Sequence, residues 1–267
     1  MRLSSITTLV NPIKVGLIGC GNIGSEVAVF LAGLSGFELT HLYDNNSHSA
    51  LDLLNRLSNK PKMAAPSEML DKCDLIIEAA SKEAVEELLV LYSVRHHALP
   101  TLFISTGGIY QNITLYDAVN HGQFIIPCGA IGGLDVLSAL KGQISFLQLT
   151  TTKPAKSLNN NKQLLCNEVV YNGGIAGAIE QFPKNINVAA TLFLATRFNA
   201  MFVKIVASPT AVFNQHQIYC EGSFGRLNMS FINQPSANPK TSALTILSIK
   251  KALIEFLAAS PMKYLQK

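Results

Sequence analysis

Lys14-Val-Gly-Leu-Ile18, followed at once by Gly19-Cys-Gly21-Asn-Ile-Gly24, is the stretch on which the fold turns. The first five residues form an apolar run of strand type, and Ile23 to Leu34 then carries apolar residues at helical spacing. A strand, a turn built on three glycines and a helix, in that order, is the context in which G-x-G-x-x-G signifies a phosphate-binding turn. Gly19 permits the tight turn, Gly21 lets a pyrophosphate approach the backbone, and Gly24 lets helix and strand pack closely. Asn22 and Ile23 open the helix, whose N-terminal N–H groups and positive dipole end favour a phosphate. The next apolar run, Phe37 to Tyr43, ends at Asp44. An acid roughly 20 residues beyond such a turn holds the ribose hydroxyls of a dinucleotide. A carboxylate there repels a 2′-phosphate and no arginine follows it closely, so NAD is expected over NADP. The neighbours Asn45, Asn46, Ser47 and His48 leave NADP possible.

Outward from this stretch the first half keeps alternating. Ala50 to Leu57 reads as a helix, Asp74 to Glu78 as a buried strand and Lys82 to Val94 as an amphipathic helix. Thr101 to Ser105 reads as a strand, Leu115 to Asn120 as a short helix and Gln123 to Ile126 as a further strand. Strands alternating with helices predict βαβ units in a parallel sheet, the Rossmann arrangement, over residues 1–127. The second half is patterned differently. Ile144 to Thr152, Val169 to Tyr171, Phe202 to Ala207, Gln217 to Glu221 and Leu227 to Ile232 read as strands. Two helices, Ile175 to Phe182 and Ile186 to Ala195, are grouped among them, the second starting at or near Asn185, and Ala155 to Lys162 reads as a surface loop. This grouping predicts an α+β domain over 128–239. Ser242 to Leu257 is an amphipathic helix, and the C-terminal segment 240–267 is expected to pack back on the first domain. The fold class is thus α/β, an N-terminal Rossmann parallel sheet with a C-terminal α+β domain.

Composition narrows the function classes. The chain has 267 residues, 48% hydrophobic and 14% charged, with a formal net charge of +4. Lysines and arginines are scattered, without the dense basic block or aromatic interleaving of a nucleic-acid footprint. No apolar run is long enough to span a bilayer. Residues Met1 to Asn11 lack a full apolar signal core and read as a loose extension. Five cysteines without C-x-x-C spacing argue against a disulfide framework or a zinc site. A reduced, cytoplasmic protein with no metal is expected.

Further candidates lie at strand ends. Ala79-Ala-Ser81 and Ser105-Thr-Gly-Gly108 follow strands at positions that face a dinucleotide, and they read equally well as ordinary turns. Pro127-Cys-Gly-Ala-Ile-Gly-Gly-Leu-Asp135 is either a hinge or a loop approaching a nicotinamide ring. His216, in Asn214-Gln-His-Gln-Ile218, lies at a strand entry, and a lone histidine is more often structural than catalytic.

These segments in this order resemble the L-aspartate dehydrogenase family. The resemblance rests on Gly19 to Gly24, Gly129-Ala-Ile-Gly-Gly-Leu-Asp135, Thr151-Thr-Lys-Pro154, Phe182-Pro-Lys-Asn-Ile-Asn-Val-Ala189, Asn214 to Ile218, Gly222-Ser-Phe-Gly225 and Pro235-Ser-Ala-Asn-Pro-Lys-Thr-Ser242. It implies a catalytic role for His216 and cofactor contacts at Ala130 and Asn187. It also implies oxidation of L-aspartate with NAD or NADP to iminoaspartate, then hydrolysis to oxaloacetate and ammonia, a link to NAD synthesis, and a homodimer. Many members carry Arg-Lys-Pro where this chain has Thr152-Lys153-Pro154, and Tyr171 to Gly177 is richer in glycine than the family pattern.

The implied reaction needs a group that moves protons near neutral pH, for which His216 is the candidate. Two substrate carboxylates need cationic or hydrogen-bonding partners. Lys153, Lys184 and Lys240 qualify as cations, Thr241 and Ser242 as neutral donors. Two other readings remain at this stage: an NAD(H)-binding sensor without catalysis, and a reductase of another amino or imino acid.

Overall fold

Ile13, Val15 and Leu17 are fully buried, and so are their even-numbered neighbours Gly16 and Ile18; Lys14 alone in this strand is exposed. A strand apolar on both faces belongs inside a parallel sheet covered on both sides. The computed structural model, which describes residues 11–158, 164–182, 186–236 and 242–260, has that sheet. Its strands are β1 (Ile13–Ile18), β2 (Phe37–Tyr43), β3 (Lys62–Met63), β4 (Leu75–Glu78), β5 (Thr101–Phe103) and β6 (Phe124–Ile125). They run in the order β3-β2-β1-β4-β5-β6, all parallel. The connections carry α1 (Asn22–Ala32), α2 (Ser47–Arg56), α3 (Pro66–Met69), α4 (Lys82–Arg95), α5 (Thr106–Gln111) and α6 (Ile113–Val119). Strand order reverses between β1 and β4, and ligands of such sheets bind at the carboxyl ends of the strands beside that reversal.

Three elements here were not legible in the pattern. β3 and α3 are too short to show a period. The third is α5, where Ser105-Thr-Gly-Gly108 reads as a turn. Glycine is a poor helix former, but a Cβ at Gly108 would lie 2.8 Å from the Lys82 Cα. Close packing on the first turn of α4 therefore overrides propensity.

The chain divides into two compact units. One takes residues up to Gly108, Asn112–Pro127 and those from Ile249 on; the other takes Ile109–Gln111 and Cys128–Ser248. The second unit is built on a five-stranded mixed sheet of β7 (Ile144–Pro154), β8 (Glu168–Gly174), β9 (Phe202–Ser208), β10 (Asn214–Gly222) and β11 (Gly225–Asn233). The order is β11-β10-β7-β9-β8, with β7 and β9 parallel and the other neighbours antiparallel. Helices α7 (Leu134–Ala139), α8 (Ile175–Gln181) and α9 (Asn187–Thr196) belong to the same unit. One face is buried: Leu147, Leu149 and Thr151 of β7, Val203 and Ile205 of β9, and His216, Ile218 and Cys220 of β10. Buried residues at every second position are the mark of a sheet covered on one side.

β8 runs on through Asn172-Gly-Gly174, where the sequence predicts its end. The Tyr171 hydroxyl donates to the Gly174 carbonyl at 2.6 Å, and a Cβ at Gly173 or Gly177 would sit 2.8 or 2.7 Å from that hydroxyl oxygen. The glycines make room for the tyrosine. Of the expected surface loop, Ala155–Leu158 forms a turn of 3-10 helix, while residues 159–162 lie outside the described residues, as does the expected helix start at Asn185.

The last helix, α10 (Ala243–Ala259), spaces Ile249, Leu253 and Leu257 by one turn each. All three lie in one apolar cluster with Val15 and Leu17 of β1 and Val27 and Leu31 of α1.

Candidate functional site

In the first unit the glycine turn forms a cradle of backbone. Gly19 has φ +97°, a conformation that glycine adopts freely, and a Cβ there would lie 2.6 Å from the Ala79 carbonyl carbon. A Cβ at Gly24 would run into the Gly19 carbonyl oxygen. Both positions therefore need hydrogen in place of a side chain. Gly21 differs, since a Cβ there meets nothing within 4 Å. The protein itself does not require glycine at Gly21, whereas a ligand lying on the backbone would. Gly21 is also the N-cap of α1 and gives it no side-chain cap, and the first turn, opened by Asn22 and Ile23, carries no acid. Backbone N–H groups and the dipole end are thus presented to an anion. These residues fit the pyrophosphate of a dinucleotide.

Asp44 is built into the same turn. Its carboxylate accepts from the Cys20 N–H at 2.7 Å and from the Asn46 N–H at 2.8 Å. Lone pairs remain on both oxygens for further donors such as ribose hydroxyls. The Gly19 N–H donates to the Tyr43 carbonyl at 2.8 Å, which joins the end of β2 to the fingerprint. Burial, then the Asp44 charge, pushes the Cys20 thiol up to about 12, so it stays protonated and unreactive.

One residue of this unit escaped the sequence reading. Glu78, the last residue of β4, is fully buried. It accepts from the Ala80 N–H (2.8 Å), the Ser105 N–H (2.9 Å), the Ser105 hydroxyl (2.8 Å) and the Ile104 N–H (3.3 Å). Its only trace in sequence is an acid closing a wholly apolar strand.

In the second unit side chains converge on the buried face of the sheet. His216 stands opposite Thr151 of β7 and Phe231 of β11. Its Nδ1 lies 3.0 Å from the Thr151 hydroxyl, and the residue is only 4% exposed. The sequence placed His216 at a strand entry and expected it to titrate near neutrality. The structure corrects both. His216 is the third residue of β10, and burial, then the charge of Lys153, pushes its imidazole down to about 4. It is neutral at physiological pH. Lys153 follows Thr151 by two residues, so it shares that face of β7, and burial pushes its ammonium down to about 8.

The Ala130 loop is tied to the same sheet through β11. The Asn233 side-chain amide donates to the Ala130 carbonyl at 2.8 Å. A Cβ at Gly132 would lie 3.4 Å from the Phe231 ring, and one at Gly133 would lie 2.8 Å from the Met229 sulfur. The Gly129 N–H donates to the Ser248 hydroxyl at 3.0 Å.

Sequence reading thus selected Gly19, Gly21, Asn22, Ile23, Gly24 and Asp44, which the fold gathers into one turn. It also selected His216 and Lys153, which share a face, and Ala130, anchored to the neighbouring strand. It assigned no site role to Thr151, Glu78 or Asn233, each made significant by its partner. Asn187 opens α9 and is exposed. The Ser242 hydroxyl is buried with no hydrogen-bond partner among the described residues. Lys184, Lys240 and Thr241 lie outside the described residues. Among the described residues no group of acids, histidines or cysteines is arranged to hold a metal, and no helix is long and apolar enough to cross a membrane.

Comparison with known proteins agrees with both halves of this geometry. Residues 135–255 match the family model "Aspartate dehydrogenase, C-terminal", and residues 19–99 match "Homoserine dehydrogenase, NAD binding domain". The chain is 33% identical to an L-aspartate dehydrogenase of Nitrosopumilus maritimus, over 91% of this chain and 96% of that protein. It is 34% identical to one of Methanocaldococcus jannaschii, over 94% and 98%. Among solved structures, aspartate dehydrogenase from Thermotoga maritima superposes with a TM-score of 0.73 at 29% identity, covering 92% of this chain and 97% of that one. A scyllo-inositol dehydrogenase from Lactobacillus casei, at 11% identity and a TM-score of 0.59, shares the fold alone. A glycine turn with its acid, a buried histidine in its strand motif and full-length similarity all lead to one family: the chain belongs to the L-aspartate dehydrogenases, oxidoreductases with an NAD-binding Rossmann domain.

Proposed function

We propose that this chain oxidises L-aspartate with NAD to iminoaspartate, which water converts to oxaloacetate and ammonia. The observation that carries the reading is the buried pair Thr151 and His216 with half-buried Lys153 on the same face of β7, in a chain whose glycine turn and Asp44 are intact. Residues 1–127, with the C-terminal helix, act as the dinucleotide-binding part and residues 128–239 as the substrate part. Gly19, Gly21, Asn22, Ile23 and Gly24 cradle the pyrophosphate, and Asp44 holds the adenosine ribose. Asp44 favours NAD over NADP. Ala130 and Asn187 are the further cofactor contacts that the family pattern carries.

Bound NAD supplies the hydride acceptor. The substrate amine must lose its proton before hydride can leave Cα. Lys153 is neutral above about pH 8 and takes that proton. His216 stays neutral throughout this range. Its imidazole, engaged at Nδ1 by Thr151, orients the water that adds to the imine, and that water's proton passes to the imine nitrogen as the C–O bond forms. The substrate carboxylates are met by Ser242, whose hydroxyl has no protein partner among the described residues, and by Lys184, Lys240 and Thr241. Iminoaspartate released in this way is available to NAD synthesis. The protein works as a cytoplasmic homodimer.

The test is NADH formation by purified protein with L-aspartate, set against D-aspartate, L-glutamate, L-alanine and L-homoserine. Turnover confined to L-aspartate, rising through an apparent pKa near 8, is the expected result. NADH binding without turnover of any of these would replace the reading by a sensor, and preference for another acid by a different reductase.

A further inference from the structure

Glu78 is a buried carboxylate that the chemistry above does not use. Three of its four partners are backbone N–H groups, which can only donate, so the site is built around an acceptor with all its capacity filled. Burial pushes the carboxyl up while these donors pull it down. A group this costly to bury, engaged on both oxygens, holds its surroundings in one arrangement.

The donors come from two different loops. Ala80 belongs to the turn after β4, and Ile104 and Ser105 to the turn after β5. The first of these turns touches the fingerprint, because a Cβ at Gly19 would lie 2.6 Å from the Ala79 carbonyl oxygen and 2.7 Å from the Ala80 nitrogen. The second touches the start of α4 through Gly108 and Lys82. In this strand order Asp44 takes the adenosine end on the β2 side, which leaves the loops after β4 and β5 to line the other half of the dinucleotide.

We propose that Glu78 is a positioning residue for the dinucleotide, clamping the loops after β4 and β5 to each other and against Gly19. The proposal rests on the dinucleotide reading of the glycine turn. Glu78→Gln tests it sharply. The new amide must replace one oxygen with a donor. Ser105 can turn its hydroxyl to accept from that donor, but the Ala80 N–H cannot, and so the peptide beside Gly19 loses its anchor.

The experiment is titration of the full-length protein with NADH, followed by fluorescence, and with AMP, which occupies only the adenosine end. Glu78→Gln is expected to raise the NADH Kd about tenfold, or ~1.4 kcal/mol, while the AMP Kd changes less than about twofold. A variant with a lowered Tm and an unchanged NADH Kd would overturn the proposal and leave Glu78 as a purely structural group. Equal losses for NADH and AMP would overturn it as well. Should Glu78→Gln not fold, Ser105→Ala, which removes one donor and leaves the backbone bonds, decides the matter: a rise of about threefold in NADH Kd with little change in Tm supports the clamp, and no rise refutes it. Failure of the wild-type protein to bind NADH would instead sink the dinucleotide reading itself, an outcome distinct from all of these.

Discussion

The two units place their candidate site residues in opposite ways. In the parallel sheet these lie at or beyond the strand ends, and are glycines and the acids that hydrogen-bond the loops. In the mixed sheet they lie within the strands, on one buried face, and are side chains brought opposite each other by register. A backbone site needs a particular residue at a particular place in a turn, while a side-chain site needs neighbours that are remote in the chain. His216 and Thr151 face each other across 65 positions of sequence.

The largest effect that tests this contrast is on turnover. His216→Asn is expected to lower kcat by about 100-fold or more, since the attacking water loses the group that orients it, with the NADH Kd unchanged. Retention of most of the wild-type kcat would remove His216 from the chemistry and leave it a buried polar residue.

Next is an effect on stability. Below pH 6.5 an unfolded chain protonates this histidine, whereas the folded protein resists doing so until about pH 4. A group with a folded pKa below its unfolded one costs stability as pH falls through that window. The loss approaches about 3 kcal/mol at the lower end. Denaturant unfolding between pH 7 and 4.5 should therefore show a steeper loss for wild type than for His216→Asn. Parallel curves would mean that the imidazole is solvated.

The smallest effect separates glycines within the backbone site. Gly21→Ala meets no protein atom within 4 Å, so stability should stay within about 0.5 kcal/mol while NADH binding weakens about tenfold. Gly24→Ala should instead lower Tm, since its Cβ collides with the Gly19 carbonyl. If Gly21→Ala bound NADH as tightly as wild type, the open space at Gly21 would not be the pyrophosphate seat.

How much was legible follows the same division. The fingerprint, Asp44 and the alternation of strands and helices can be read directly because each depends on residues a few positions apart. α5 could not be read, since its glycines suit a helix only where α4 passes close by. Glu78 closes an apolar run like any strand-end acid, and its four donors come from loops up to 27 positions away. His216 was visible as a residue of the family motif. Its neutrality was not, because its burial and the nearness of Lys153 are properties of a sheet in register.

The amino-acid sequence by itself determined a Rossmann sheet, a glycine turn with an acid at the end of the next strand, an α+β second half and membership of the L-aspartate dehydrogenases. Local periodicity and turn chemistry act over short stretches, and a motif keeps its meaning wherever it stands. Tertiary structure alone decided which side chains meet and what charge they carry. The pairing of His216 with Thr151, the lowered ammonium of Lys153 and the four hydrogen bonds to buried Glu78 all arise from desolvation and hydrogen bonding between distant segments. Those forces depend on what surrounds a group, and only the folded chain supplies the surroundings.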